Sequence, residues 1–284
     1  MPALAQQESV LRDGISQRHF KALAALIYDE TGIKMPPTKL TMLEGRLRRR
    51  VRATGMSSLD AYCSHVLSDA ATPEERVHLV NAVTTNKTDF FREPKHFEYL
   101  AETVLPNYVR DGRRRIRCWS AACSTGAEPY TLAMVLDDFA ERRGGPDFDI
   151  LATDLDTDVL ATAVKGIYPD EMLEPVPREM RRRYVLSPKD ESRRDVRISP
   201  VLRQKIGFGR LNLMDVRYPI GEAVDMIFCR NVLIYFDKPT QRQVVLRLCE
   251  NLKPGGYLFF GHSESIAGFD LPLTPVANTV FRRD

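Results

Sequence analysis

The sequence predicts an α/β protein in which a doubly wound, mostly parallel sheet domain follows a small all-α domain. Apolar residues recur at helical spacing through residues 16–85, which is typical of a helical bundle. After Pro94, short β-rich runs alternate with helices, and this order favours a parallel sheet covered on both faces. Residues 168–210 interrupt the alternation with charged, proline-rich sequence and predict a small antiparallel β-subdomain inserted into the larger fold.

The N-terminal region divides into a patternless start and a run of helices. Residues 1–15 are expected to form a mobile terminus. Two apolar stripes predict the first helices, at Phe20, Leu23 and Ile27 and at Leu40, Leu43, Leu47 and Val51. The sequence Thr72-Pro73-Glu74-Glu75 predicts another helix start, with Thr72 as N-cap and Glu75 completing a capping box.

The second region contains four runs that predict buried strands: IRCWS (116–120), DILAT (149–153), MIFC (226–229) and YLFFG (257–261). The helices between them are expected from about 128, through Val159 and Val164, and from about 238 to 251. Within the insert, three short antiparallel strands are predicted at YVLS (184–187), DVRIS (195–199) and KIGFG (205–209).

Composition excludes several classes of protein. At 43% hydrophobic and 28% charged residues, the chain of 284 residues has an ordinary soluble composition. It lacks an apolar run of the roughly 20 residues that a membrane helix needs, and its start does not resemble a signal peptide. Its five cysteines show no CxxC spacing, which argues for a cytoplasmic location and against both a disulfide framework and a metal site.

The segment IRCWSAACSTGAEPYT predicts a ligand crevice. A strand ends at Ser120, small residues follow, and a helix with free N–H groups begins near Glu128. The GxGxxG fingerprint is missing and only Gly126 is present, so a tight βα turn explains the segment about equally well. Glu128 would repel a pyrophosphate but suits a cationic ligand, such as S-adenosylmethionine with its sulfonium and ammonium groups.

Asp154 ends the second strand, where a carboxylate can accept hydrogen bonds from both hydroxyls of a ribose. Helix N-capping is the alternative role for Asp154, but Asp156 is also placed to perform it. We therefore favour Asp154 as a ligand-binding residue.

Five segments together resemble the chemotaxis receptor glutamate O-methyltransferases (CheR family), and the likeness extends from about residue 16 to the end. They are TTNKTDFFRE (84–93), WSAACSTGAEPYT (119–131), ATDLDTDVL (152–160), FCRNVLIYFDK (228–238) and LKPGGYLFFGHSES (252–265). The resemblance implies a helical domain, a linker at 86–93 and a Rossmann-like class I S-adenosylmethionine methyltransferase domain over 94–284.

The resemblance also implies cofactor contacts at matching positions. They are Asn86, Thr88 and Arg92 in the linker, Glu128 and Asp154 at strand ends, Asn212 and Leu213 beside the adenine, and Arg230 and Asn231 after MIFC. An amide such as that of Asn212 can read the donor–acceptor edge of adenine, although Asn212 is also a plausible turn residue.

The implied reaction is methyl esterification of glutamate side chains on bacterial chemoreceptors. A glutamate with a pKa of about 4.3 is already ionised at pH 7, so no general base is needed. Alignment of the carboxylate is the main requirement, and Arg92 and Tyr235 are the candidates for it. As alternatives, Arg92 pairs with Glu93 or another surface acid, and Tyr235 packs at the rim.

The run EGRLRRRVR (44–52) places five arginines on the second predicted helix, and their field should attract a polyanion. Nucleic acid and an acidic receptor helix are the two candidates. Few aromatic residues interleave the arginines, so the resemblance favours the cytoplasmic helical part of a chemoreceptor, with contacts from Arg46, Arg49, Arg50 and Arg52. The loop LSPKDESRRD (186–195) lacks the glycines associated with family members that bind a receptor tether peptide, which puts tether binding in doubt. An edge of the β-subdomain could still accept an added strand.

Three other functions remain open from the sequence. A methyltransferase acting on RNA or a small molecule would have the same cofactor site. A signalling protein that binds S-adenosylmethionine without catalysis is less favoured, because Arg92, Glu128, Asp154 and Tyr235 are all present. A dinucleotide-dependent oxidoreductase conflicts with the missing glycine fingerprint and with Glu128.

Overall fold

The structure is a computed structural model that describes residues 14–190 and 192–284. It comprises two compact units, one ending at Thr85 and including Tyr235–Asp237, the other formed by Asn86–Ile234 and Lys238–Asp284. The predicted mobile terminus, 1–15, lies outside the described residues except for Gly14 and Ile15, and Ile15 is buried in the core of the first unit. Among the described residues, no helix is long and apolar enough to span a membrane.

The first unit is a helical bundle, as predicted. Its helices are α1 (Gln17–Thr31), α2 (Leu40–Thr54), α3 (Leu59–Val66) and α4 (Pro73–Val83), with a 3-10 turn at Pro37–Lys39. The predicted apolar stripes of α1 and α2 point inward, and Leu23, Ile27, Leu43 and Leu47 are fully or almost fully buried. These stripes and the apolar faces of α3 and α4 form one continuous core.

The start of α4 confirms only half of the predicted capping box. Thr72 Oγ1 accepts a hydrogen bond from Glu75 N at 3.2 Å, so Thr72 is the N-cap. The carboxylate of Glu75, however, binds Arg50 and the buried hydroxyl of Tyr62. Glu75 therefore fastens α4 to α2 and α3 instead of reaching back along its own helix.

The second unit is built on a seven-stranded sheet in the order β6-β2-β1-β7-β8-β10-β9. Its strands are β1 (Arg115–Ala121), β2 (Asp147–Asp154), β6 (Ile206–Arg210), β7 (Val224–Cys229), β8 (Leu252–Phe260), β9 (Leu273–Ala277) and β10 (Val280–Arg283). The first five in spatial order are mutually parallel. The chain builds outward from β1 through β2 to β6, then returns to β7 on the other side, so the strand order reverses between β1 and β7.

The long helices of this unit are α7 (Ala127–Arg143), α8 (Thr157–Lys165) and α11 (Lys238–Glu250), close to their predicted bounds. The sequence did not predict a helical stretch that precedes β1, which comprises α5 (Lys95–Tyr99), a π-helical turn (Leu100–Val104) and α6 (Leu105–Arg110). Its buried side chains, including Phe97, Leu100 and Tyr108, join the core of the sheet domain.

The insert contains a separate three-stranded antiparallel sheet, in the order β3-β5-β4. Its strands are β3 (Ile167–Pro169), β4 (Val185–Leu186) and β5 (Asp195–Ile198), accompanied by a 3-10 turn (Asp170–Leu173) and by the short helices α9 (Arg178–Tyr184) and α10 (Pro200–Arg203). The insert was predicted, but its first strand lies earlier in the chain than expected.

The assignment of KIGFG (205–209) to the insert was wrong. This run forms β6, which pairs parallel to β2 with Ile206 opposite Ile150. Pairing with β2 satisfies backbone groups of five consecutive residues, Ile206 to Arg210, and buries Ile206 in the core of the sheet domain. The C-terminal hairpin of β9 and β10 was not predicted either, and it makes the sheet mixed instead of purely parallel.

Candidate functional site

The candidate site lies at the carboxyl ends of β1, β2 and β7, where the strand order reverses and open α/β sheets bind ligands. The loop after β1 is tightly wound, with positive φ at Ala122 (65°), Ser124 (51°) and Gly126 (93°). A Cβ on Gly126 would lie 2.9 Å from both Ala163 Cβ and Tyr168 Oη. Glycine is thus required here by packing within the protein, whatever ligand the loop binds.

Asp154 joins the loops that follow β1 and β2. Its Oδ2 accepts a hydrogen bond from Ser124 N at 2.8 Å, and its Oδ1 accepts one from Asp156 N at 3.0 Å. The neighbouring Asp156 is the N-cap of α8 and accepts from Asp158 N at 2.8 Å, as the sequence had allowed. Burial raises the pKa of Asp154, and the backbone hydrogen bonds only partly oppose this shift.

Glu128 and Arg230 meet across the reversal point. Glu128, in the first turn of α7, accepts from Ser120 Oγ through Oε1 at 2.7 Å. Its Oε2 pairs with Arg230 Nη1 at 3.2 Å. Burial raises the pKa of Glu128, although the positive charge of Arg230 and the hydrogen bond from Ser120 oppose the shift. Two predicted cofactor residues thus form a largely buried ion pair.

Glu93 completes this cluster, although the sequence did not identify it as a site residue. Its Oε2 lies 3.0 Å from Arg230 Nη2, while its Oε1 accepts from Asn231 Nδ2 at 3.0 Å and from His262 N at 3.2 Å. Burial alone would raise its pKa, but hydrogen bonds from Asn231 and Arg230 outweigh it, and the pKa falls to about 2. The one feature of the sequence that could have identified Glu93 is that it ends TTNKTDFFRE (84–93), a segment that resembles the family.

The linker residues lie beside these loops. Asn86 Nδ2 donates to Asp156 Oδ2 at 2.7 Å, and the Asn86 carbonyl accepts from Ser124 Oγ at 3.0 Å. Thr88 is half-buried in the same segment. Arg92 Nη1 donates to the carbonyl of Lys87 at 2.9 Å. The Glu93 carboxylate pairs with Arg230, so the Arg92–Glu93 pair that the sequence had left open is not formed.

Asn212 and Leu213 follow β6, whose next residue, Leu211, donates its N–H to the carbonyl of Asp154 at 3.0 Å. This bond places the pair next to the end of β2. Asn212 Oδ1 accepts from Met214 N at 3.0 Å, which fits the turn role considered for it. Leu213 is buried.

Tyr235 belongs to the first unit. It ends the 3-10 turn Leu233–Tyr235, and its carbonyl accepts from Lys34 N at 3.3 Å. The Nζ of Lys39 lies 5.8 Å from the centre of its ring. The structure therefore groups Tyr235 with the arginine-bearing bundle.

Four of the five arginines of α2 were predicted to contact the receptor, and these four fall into two groups. Arg46 donates to the carbonyls of Val83 and Thr84 at the end of α4, and Arg50 Nε donates to Glu75 Oε1 at 3.1 Å. Arg49 and Arg52 are exposed. The first pair is tied into the bundle, whereas the second pair is presented to solvent.

One group of side chains resembles a cation site. Donor atoms of Glu93, His96 and His262 lie within 4.8 Å of one another. Both oxygens of Glu93 already accept hydrogen bonds, however, and the guanidinium of Arg230 opposes a second positive charge. The group is better explained as part of the ion-pair cluster. The five cysteines are all free and buried, as expected for a protein without a disulfide framework.

Comparison with known proteins follows the same division of the chain. Residues 86–281 match the family described as CheR methyltransferase, SAM binding domain, and residues 18–84 match CheR methyltransferase, all-alpha domain. A probable chemotaxis protein methyltransferase of Rhizobium etli is 39% identical over 86% of this chain and 91% of that protein.

Two further relatives agree. Chemotaxis protein methyltransferase 2 of Pseudomonas aeruginosa is 38% identical over 94% of this chain and 93% of that protein. The chemotaxis protein methyltransferase of Escherichia coli is 37% identical over 95% of this chain and 92% of that protein. The chain therefore belongs to the CheR methyltransferase family, with an all-α domain followed by an S-adenosylmethionine-binding domain.

Proposed function

We propose that this protein transfers the methyl group of S-adenosylmethionine to glutamate side chains of bacterial chemoreceptors. The observation that carries the proposal is the largely buried Glu93–Arg230–Glu128 cluster beside Asp154, within the region that matches the S-adenosylmethionine-binding domain. The names of the relatives support chemotaxis as the context.

The donor set fits S-adenosylmethionine better than a dinucleotide. Asp154 and Glu128 bring carboxylates to the ends of β1 and β2, where a pyrophosphate would be repelled and an ammonium or sulfonium attracted. Asp154 would hold the ribose hydroxyls, and Asn212 with Leu213 would border the adenine. Asn86, Thr88, Arg92, Glu128, Arg230 and Asn231 would surround the methionine portion. When bound, the cofactor supplies a methyl group on a positively charged sulfur.

The protein's task toward the acceptor is alignment, because a glutamate carboxylate is already ionised at neutral pH. Arg92 and Tyr235 are the proposed aligning residues. Arg92 is anchored through Nη1 to Lys87, and this bond uses only one of its several N–H donors. A guanidinium fixed in this way is suited to hold a carboxylate.

The proposed receptor surface is the exposed side of α2. Arg49 and Arg52 offer positive charge there to an acidic receptor helix. Arg46 and Arg50 contribute by holding α2 against α4, so their part in binding is indirect. Of the four arginines predicted from the sequence to contact the receptor, only Arg49 and Arg52 are therefore proposed to contact it directly.

The experiment incubates the protein with radiolabelled S-adenosylmethionine and chemoreceptor-containing membranes. The expected result is label on the receptor that alkali releases as methanol, as a methyl ester requires. Receptors whose methylation glutamates are replaced by alanine serve as the control and should stay unlabelled. Label that resists base would refute glutamate as the acceptor. Label found only on added RNA would favour the alternative methyltransferase, and cofactor binding without transfer would favour a signalling role.

A further inference from the structure

The loops after β7 and β8 are joined by one buried carboxylate, that of Glu264. Its Oε2 accepts from Asn231 N at 2.8 Å and from Gly261 N at 2.6 Å. Its Oε1 accepts from Val232 N at 2.8 Å and from Leu233 N at 2.7 Å. These amides lie at or beyond the ends of regular elements, so Glu264 satisfies donors that the strand ladders do not.

The two loops also approach each other unusually closely. Asn231 has a φ of 60°, a left-handed conformation that asparagine adopts more readily than most other non-glycine residues. A Cβ on Gly261 would lie 2.4 Å from Asn231 Nδ2. Glycine at 261 therefore leaves room for the Asn231 side chain. The Glu264 carboxylate holds the backbone of Asn231 in place.

From Asn231 a continuous series of contacts leads to Glu128. Asn231 Nδ2 donates to Glu93 Oε1 at 3.0 Å, and Glu93 Oε2 lies 3.0 Å from Arg230 Nη2. Arg230 Nη1 then reaches Glu128 Oε2 at 3.2 Å. A shift of the Asn231 backbone would move the amide that orients Glu93 and so disturb the partner of Arg230.

We propose that Glu264 is a positioning residue for cofactor binding, which fixes the backbone at Asn231 and thereby places Glu93 and Arg230 against Glu128. The inference rests on the proposed cofactor role of Arg230 and Asn231. Glu264 acts through these residues and is not itself a cofactor ligand. Burial raises the pKa of Glu264 despite the hydrogen bonds from backbone amides.

The test is Glu264→Gln, which keeps the size of the side chain but turns one acceptor oxygen into a donor that faces two backbone N–H groups. Calorimetric titration with S-adenosylhomocysteine should show about a tenfold or greater rise in Kd, at a temperature at which circular dichroism shows the variant folded. Glu75→Gln is the matched control, since Glu75 also accepts several hydrogen bonds but lies in the helical unit. It should lower thermal stability and leave the Kd unchanged.

A double-mutant cycle with Glu93→Gln tests the route. If Glu264 acts through Asn231 and Glu93, the fold increase in Kd of the double variant should be smaller than the product of the fold increases of the two single variants. If the fold increases in Kd multiply, Glu264 does not act through Glu93, and this part of the proposal is wrong. A Glu264→Gln variant with a lower melting temperature but a Kd within about twofold of wild type would show a structural role alone and overturn the proposal. Failure of receptor methylation with these affinities as expected would count against the proposed acceptor only.

Discussion

Glu128 and Arg230 form a largely buried ion pair, 3.2 Å between Oε2 and Nη1, across the point where the strand order of the sheet reverses. Arg230 is 2% exposed at its side chain and uses its other terminal nitrogen for Glu93. One planar guanidinium therefore balances two carboxylates that would otherwise repel each other, a geometry that the single ammonium of lysine does not reproduce.

Arg230→Lys should accordingly weaken S-adenosylhomocysteine binding by about tenfold or more, because one carboxylate loses its bonded partner. Calorimetric titration measures the affinity, and thermal unfolding should show a lower melting temperature. Arg115→Lys, in a more exposed ion pair with Asp149, is the control and should change neither quantity appreciably. If Arg230→Lys and wild type bind S-adenosylhomocysteine equally well, the pairing of one guanidinium with two carboxylates does not contribute to cofactor binding.

Asp154→Ala should abolish detectable binding of S-adenosylhomocysteine, because the variant loses the carboxylate proposed to hold the ribose and frees the N–H groups of Ser124 and Asp156. The measurement is again calorimetry. Asp149→Ala on the same strand is the control, since its carboxylate pairs at the surface with Arg115 and Arg117. Unchanged affinity in Asp154→Ala would exclude Asp154 from the site.

Charge reversal on α2 should separate receptor recognition from cofactor binding. Arg49→Glu together with Arg52→Glu should reduce the rate of receptor methylation at least several-fold, and the difference from wild type should shrink as salt rises. The Kd for S-adenosylhomocysteine should stay the same. Initial rates at several salt concentrations and one calorimetric titration check both parts. If the double variant loses cofactor affinity to the same extent, the role of α2 is not confined to receptor recognition.

The stability of the helical unit should depend on Glu75. Burial alone would raise its pKa, but hydrogen bonds from Arg50 and Tyr62 outweigh this, and the net pKa is lowered. A lowered folded-state pKa stabilises the protein above the unfolded value of 4.5, and that contribution is lost as the pH falls through the folded value. Glu75→Gln should therefore unfold more easily than wild type by about 1–3 kcal/mol at pH 7.

Urea unfolding of both proteins at a series of pH values measures this difference. The gap between wild type and Glu75→Gln should narrow below pH 4.5. A gap that is constant with pH would mean that the charge of Glu75 contributes nothing and that shape alone explains the loss.

The sequence predicted those parts of the fold whose signal is local. Thr72 and Asp156 are caps because their side chains reach amides two or three residues away, and the stripe containing Leu43 and Leu47 follows helical geometry. KIGFG was misplaced because a short strand carries no local mark of its partner, and β6 pairs with a strand more than 50 residues earlier.

The sequence predicted the site residues that directly follow strands, but not those that lie in longer irregular segments. Glu128 and Asp154 follow predicted strands, so topology alone brings them to one edge. Glu93 and Glu264 lie in irregular segments, and their partners Arg230 and Asn231 are distant in the chain. Such contacts depend on the folded path of loops, which neither periodicity nor capping patterns encode.

Tyr168 connects the inserted sheet to the loop after β1, which forms part of the candidate site. It lies in β3, its hydroxyl donates to the Thr125 carbonyl at 2.6 Å, and it stands where a side chain on Gly126 would be. The small sheet is therefore anchored at the loop that opens α7. Substitution of Tyr168 should therefore disturb the loop after β1 as well as the small sheet, whereas changes on the outer face of the insert that leave Tyr168 in place should spare this loop.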